Sequence, residues 1–205
     1  MQAAGLWDSS LIVFSSDNGG PNGKGTYADV NVPLRGYKLE EWEGAYRVYA
    51  FVSGGVLPEA MRGARSSALI AICDWYATFC GLAGLGDACA SDEGAVAAGY
   101  SDVDSVDQWA VLSGAATRSQ RTELWVDTYV LYQLEHARGE ERLWKLRVGT
   151  NGTDRRTDLL DLNSSSAEEH DADSAEYFEA TERAYLEAAL RGEGVLLHDV
   201  CSPEP

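Results

Sequence analysis

The sequence predicts an α/β fold, and three observations carry that expectation. The apolar run Leu11-Ile12-Val13-Phe14 ends in the polar segment Ser15-Ser16-Asp17-Asn18-Gly19-Gly20. Residues 66–83 place apolar side chains at helical spacing, and residues 143–148 alternate apolar with basic side chains. A short continuous apolar run reads as a buried, parallel strand, the second pattern as an amphipathic helix, and the third as a strand of an antiparallel sheet.

Taken in order, residues 11–14 are expected to form a buried parallel strand. Ligands of open α/β sheets bind beyond the carboxyl ends of the strands, so an Asp-Asn pair followed by two glycines there is a candidate site. The same tetrapeptide also suits a plain turn. Residues 19–36 form a loop rich in Gly, Asn and Pro, and residues 45–52 read as a second strand. Between 66 and 83, Leu69, Ile72, Tyr76, Phe79 and Ala83 recur at spacings of three and four, with Trp75 and Leu82 beside them. That face is expected to pack in the core.

Residues 84–107 are rich in Gly, Ala, Ser and Asp, and the change of composition marks a subdomain boundary. Asp102, Asp104 and Asp107 fail the EF-hand spacing, which leaves a solvated acidic loop as the expectation. Further on, residues 124–132, 143–148 and 159–162 suggest a small antiparallel sheet with one wet face, Lys145 and Arg147 alternating with Trp144, Leu146 and Val148. Residues 174–190 carry Phe178, Tyr185 and Ala189 on one side, a helix expected to cover the sheet and to stop at Gly192. The expected organisation is residues 1–90, a connector over 91–122, and a sheet-plus-helix unit over 123–205.

The 205 residues hold 16 Lys and Arg against 33 Asp and Glu, a net charge of -17. Such a body lacks the basic stripe that neutralises phosphates, which argues against nucleic acid as a partner. It also repels anions except where a local cation offsets the field. No stretch approaches the roughly 20 apolar residues of a membrane span, and the amino terminus has no signal-peptide pattern. Cys73, Cys80, Cys89 and Cys201 fit no paired metal motif and leave three disulfide connectivities open. Cys73 and Cys80 read as buried small hydrophobes. Asn151-Gly152-Thr153 and Asn163-Ser164-Ser165 match the glycosylation acceptor pattern.

Several of these segments, in this order, resemble the sulfatase family, in particular its arylsulfatase B branch. They are L-I-V-F-S-S-D-N-G-G at 11–20, P-L-R-G-Y-K at 33–38 and W-E-G at 42–44, followed by residues 72–84, which resemble the family's Asp-Trp-Tyr-Pro-Thr helix with Ala77 in place of proline. Asp104-Ser-Val-Asp107-Gln-Trp109 resembles its D-G-x-D-x-W element, and Trp144-Lys-Leu and Leu159-Leu-Asp-Leu-Asn resemble its late strands. The resemblance implies a partial alkaline-phosphatase-like sheet followed by a small antiparallel sheet. It implies calcium as cofactor, with Asp17 and Asn18 as oxygen ligands, which suits a hard cation. Lys38 matches the lysine that contacts the substrate sulfate, where an ammonium offsets negative charge and stabilises the leaving oxygen. Arg35 and Glu43 read as loop-organising partners, since a buried charge needs a fixed counter-charge. Ala45 stands where the family often has a second glycine.

Sulfatases act through a formylglycine made within a C-x-P-x-R-type motif, and that motif is expected upstream of this chain. Cys201-Ser202-Pro203 begins similarly but lacks the arginine, and Cys201 is rejected as the nucleophile. His136, His170 and His198 read as surface histidines remote from Asp17 in sequence. The leading expectation is a sulfuric ester hydrolase acting on a sulfated small molecule or glycan, from a secretory, lysosomal or extracellular parent, with this chain inactive alone. The alternatives are a non-catalytic anion-binding or structural remnant of the fold, and a related phosphate-ester hydrolase, which the P-L-R-G-x-K and W-E-G segments disfavour.

Overall fold

A computed structural model describes residues 1–21, 31, 34–127, 130–137, 140–148 and 157–162. The expected helix over 174–190, both glycosylation patterns, His170, His198 and Cys201 lie outside the described residues. What is described is mixed α/β, with short helices and two antiparallel sheets.

Strand β1 (Ile12–Ser15) pairs with β2 (Ala50–Ser53) in antiparallel register, Ile12 opposite Ser53 and Ser15 opposite Ala50. This corrects the parallel reading of β1. The strand is short, and the chain after it folds back so that the Ser16 N–H donates to the Tyr49 carbonyl, which brings residue 50 beside residue 15 running the opposite way. Nor is the pair buried. Phe14 and Phe51 are directly opposite each other, stack at 5.1 Å between ring centroids, and remain about half exposed. The expected strand over 45–52 is also shorter than read, because Glu43–Tyr46 forms a single helical turn, α1.

Helix α2 (Asp74–Leu82) begins eight residues later than the periodicity suggests. Its first residue reaches back, and Asp74 Oδ2 accepts the N–H of Ala71 at 2.9 Å. That reach-back bond satisfies a donor with no intrahelical partner and fixes the helix start. The larger correction concerns which face is buried. Ile72, Tyr76 and Phe79 are 65%, 52% and 47% exposed, whereas Asp74 and Thr78 are fully buried. The side of the helix turned to the protein is polar because it is hydrogen-bonded there, and a buried polar group is tolerated only on that condition.

The Asp74 carboxylate collects the N–H of Val106 at 3.0 Å, the amide of Gln108 at 2.9 Å, and the guanidinium of Arg121, whose Nε lies 3.0 Å from Oδ2. Thr78 Oγ1 accepts the Gln108 N–H at 3.0 Å, and Ser105 Oγ links the Ala77 N–H to the Cys73 carbonyl. Residues 105–108 are thus sewn to α2 before the chain enters α4 (Trp109–Leu112). Arg121 also donates to the carbonyls of Asp104 and Glu123, the latter at the start of β3 (Glu123–Asp127). Burial alone would lower the Arg121 pKa, but the hydrogen bonds and charge of Asp74, helped by Cys73 and Asp104, outweigh it and hold it above the ordinary arginine value. A raised folded-state pKa on a cation keeps its stabilisation below the unfolded value and loses it only at more alkaline pH. The contribution of Arg121 is therefore unchanged across the physiological pH range.

In the acidic loop, Asp102 accepts from Ser91 Oγ and the Asp92 N–H, close to the start of α3 (Glu93–Ala97), and Asp107 caps the Trp109 N–H. Cys80 at the end of α2 is bonded to Cys89, which overturns its reading as a small hydrophobe. The cross-link forms because the turn after α2 folds Cys89 back onto the helix, its N–H donating to Leu85.

The second sheet runs β3-β4-β5-β6, all antiparallel, with β4 (Val130–Ala137), β5 (Glu140–Val148) and β6 (Thr157–Asp161). The antiparallel expectation holds, but the 124–132 segment divides into two strands, and the pairing of β3 with β4 carries a bulge between Trp125 and Asp127. Val130, Leu131, Trp144 and Leu146 form its buried centre. The wet face is absent at the middle of β5. Lys145 is fully buried and Arg147 nearly so, because the segment around α1 lies over them.

The Asp74 network makes a direct stability test. Arg121→Met should leave a buried carboxylate short of its main counter-charge and lower stability by about 3–5 kcal/mol, read as a shifted urea midpoint with an unchanged slope.

A candidate site built from three sequence segments

Three segments separated in sequence meet at the end of β1. The Gly19 N–H donates to the Ala45 carbonyl at 2.8 Å, the Lys38 N–H to the Gly20 carbonyl at 2.9 Å, and the Gly44 N–H to the Arg35 carbonyl at 2.7 Å. Asn31 ties them further, its Oδ1 accepting the Gly20 N–H at 2.8 Å and its Nδ2 donating to the carbonyls of Gly20 and Gly36. The backbones approach too closely for side chains. A Cβ on Gly19 would lie 1.6 Å from the Gly44 oxygen, and one on Gly44 would lie 2.3 Å from the Gly36 oxygen. These glycines are required by space, a stronger reason than flexibility.

Asp17 and Asn18 turn the chain out of β1. The Asn18 N–H donates to Asp17 Oδ1 at 3.0 Å, and Asn18 Nδ2 donates to the Gly19 carbonyl at 2.8 Å, leaving its Oδ1 on the other side of the amide. Lys38 is exposed and sits in a turn closed by the Glu40 N–H and the Tyr37 carbonyl. The next residue, Leu39, holds φ at 79° and is 93% exposed, a costly conformation for a branched side chain. Asp17, Asn18 and Lys38 all line one open cleft of about 1600 Å³, together with Glu43, Tyr46 and Tyr132.

The residues implied for calcium supply oxygens of the right hardness, but two side chains from one turn fall short of the 6–8 oxygens the ion usually takes. Among the described residues, no group of three or more His, Cys, Asp or Glu is gathered where it could hold a metal. Asp17 and Asn18 therefore do not compose a calcium site by themselves.

Behind this edge lies a set of contacts that the sequence reading did not connect. Glu43 is buried, accepts a hydrogen bond from Tyr132 Oη, and pairs with Lys145 Nζ at 3.1 Å. The ammonium also lies 5.4 and 5.5 Å from the ring centroids of Tyr132 and Tyr46, within cation–π range. Next to it, the Trp42 ring carries the guanidinium of Arg35 at 3.5 Å and that of Arg147 at 4.2 Å, and Arg147 pairs with Glu41 at 3.2 Å. Glu43 has the fixed counter-charge that a buried carboxylate needs, while Arg35 is exposed. The partners of Glu43 come from the far end of the chain, whereas the guanidinium of Arg35 lies over the nearby Trp42 ring. A signal existed, since Glu41 and Glu43 share the two-residue spacing of Lys145 and Arg147.

No protein-family model matches the chain. What the fold defines is a mixed α/β chain with a polar, glycine-packed strand end opening on a cleft. The chain is similar to Arylsulfatase J of Mus musculus, 40% identical over 79 residues, a stretch that is 38% of this chain and 12% of that protein. The likeness supports a relationship to the sulfatases, and the chain spans only a small part of that relative's length.

The spacing argument is testable at Gly44. Gly44→Ala should break the Gly44–Arg35 bond and displace the Lys38 turn, lowering stability by roughly 1–3 kcal/mol, whereas Leu39→Gly should raise it by about 1 kcal/mol by relieving the positive φ. Thermal melts of the two variants would show opposite shifts.

Proposed function

We propose that the chain is a portion of a sulfuric ester hydrolase, its likeness being to the arylsulfatase B branch, and that Lys38, Asp17 and Asn18 belong to that enzyme's active site. The observation that carries the reading is the convergence of the S-D-N-G-G, P-L-R-G-Y-K and W-E-G segments on one strand end, with Asp17, Asn18 and Lys38 facing one cleft. The partial identity to an arylsulfatase points the same way.

In this reading Lys38 contacts the sulfate group. Its ammonium offsets the charge of the ester in a body whose net charge of -17 is otherwise unfavourable to anions, and stabilises the leaving oxygen. Asp17 and Asn18 are proposed as members of a calcium shell whose remaining oxygens are not among the described residues. A formylglycine nucleophile is proposed to come from a segment outside this chain. The units 1–90, 91–122 and 123–205 are retained as the proposed organisation, and a sulfated small molecule or glycan as the substrate class. The cross-link Cys80–Cys89 supports an oxidising, secretory or lysosomal route for the parent. Among the described residues, no helix is long and apolar enough to cross a membrane.

The reading is tested on the longest coding sequence that contains this chain, assayed with an aryl sulfate and calcium. Lys38→Ala should lower kcat/KM by about 10²–10³-fold, the usual effect of removing one charge stabiliser. The 205-residue chain alone should show no turnover above its own Lys38→Ala control. If the longer protein is active and Lys38→Ala leaves it unchanged, the site assignment is wrong. If no longer coding sequence exists, a non-catalytic anion-binding remnant becomes the better account.

A further inference from the structure

Lys145 is fully buried, and a lysine in that position needs a fixed anion. It finds Glu43, the residue immediately before Gly44. Tyr132, which donates to the same carboxylate oxygen, is the cross-strand partner of Lys145 in the pairing of β4 with β5. The sheet therefore presents a hydroxyl and an ammonium side by side to one oxygen of Glu43. A slip of one residue in that register would put Leu146 or Trp144 in place of the ammonium and send the charge to the opposite face.

From Glu43 the connection to the strand end is through the backbone. Gly44 donates to Arg35 and is packed against Gly19, Ala45 accepts from Gly19, and Gly20 accepts from Lys38. Asp17 and Asn18 directly precede the glycine so fixed. We propose that Lys145 and Tyr132, acting through Glu43, are positioning residues that hold Asp17, Asn18 and Lys38 in mutual register. The late sheet is then a working support of the site, and this inference rests on the sulfatase reading for what the site binds. Neither residue touches substrate in this account. Their contribution is to reduce the freedom of three loops whose side chains must act together, where a displacement of about 1 Å is costly.

The experiment is amide hydrogen exchange on the full 205-residue chain, with inorganic sulfate as the probe ligand in a parallel titration. Lys145→Met should speed exchange at Gly19, Lys38 and Gly44 by about tenfold or more, the equivalent of one lost charge-assisted hydrogen bond. Exchange at Val106 and Gln108, held by the Asp74 network, should stay unchanged, and Lys145→Arg should restore most of the protection. Sulfate affinity should fall in Lys145→Met as it does in Lys38→Ala. Should Lys145→Met not fold, Tyr132→Phe removes one hydrogen bond from Glu43 and should give the same pattern with a smaller amplitude. Unchanged exchange at the three loop amides, or a uniform rise across the chain, overturns the inference. If the three amides respond but neither Lys145→Met nor Lys38→Ala alters sulfate affinity, the positioning stands, and the assignment of Lys38 to sulfate is what fails.

Discussion

A carboxylate buried at Asp74 constrains the centre of this protein more than any apolar contact does. Once out of water it must accept hydrogen bonds and face a cation, and the chain meets both demands by bringing residues 104–108 and Arg121 to the start of α2. The donors come from three stretches of sequence, at Ala71, at Val106 and Gln108, and at Arg121, so satisfying one carboxylate fixes the helix start, the path of the acidic loop and the entry to β3. Such a network specifies an arrangement without guaranteeing that it is the most stable one, because an apolar replacement of equal shape can be as stable.

The same constraint recurs at Glu43, and there it joins the two sheets. Lys145 and Tyr132 come from β5 and β4, Glu43 from the turn beside β1, and Trp42 stacks between guanidinium groups from either side of the joint. Among the described residues, the segment around α1 and the late sheet are held together by charge and aromatic contacts. Around this joint, Gly19 and Gly44 let backbones approach to distances at which any side chain collides, and that closeness puts Asp17, Asn18 and Lys38 on one cleft.

These features bear on the proposed chemistry through electrostatics. A chain with a net charge of -17 can attract a sulfate ester only through local cations. Lys145 and Arg147 are committed to Glu43 and Glu41, so the supporting charges are balanced internally, while Lys38 projects from its turn as an exposed ammonium. In the proposed site the buried, paired cation is assigned to geometry and the exposed one to recognition. That division of labour is the physical content of the proposed site.

The sequence by itself determined the mixed α/β character, the antiparallel late sheet and the polar end of β1, because these depend on local periodicity and short motifs. It misjudged what depends on distant partners. Lys145 and Arg147 alternate with apolar residues as a solvated face would, and nothing within β5 reveals that Glu41 and Glu43, about a hundred residues earlier, cover them. The α2 periodicity pointed Ile72, Tyr76 and Phe79 inward, but the inward side was taken by Asp74 and Thr78, whose need for hydrogen-bond partners outweighed the apolar stripe. The direction of β1 relative to its neighbour and the Cys80–Cys89 pairing were likewise decided by how the loops return. Periodicity records which faces a segment offers, whereas burial is settled by which groups in the rest of the chain can satisfy them.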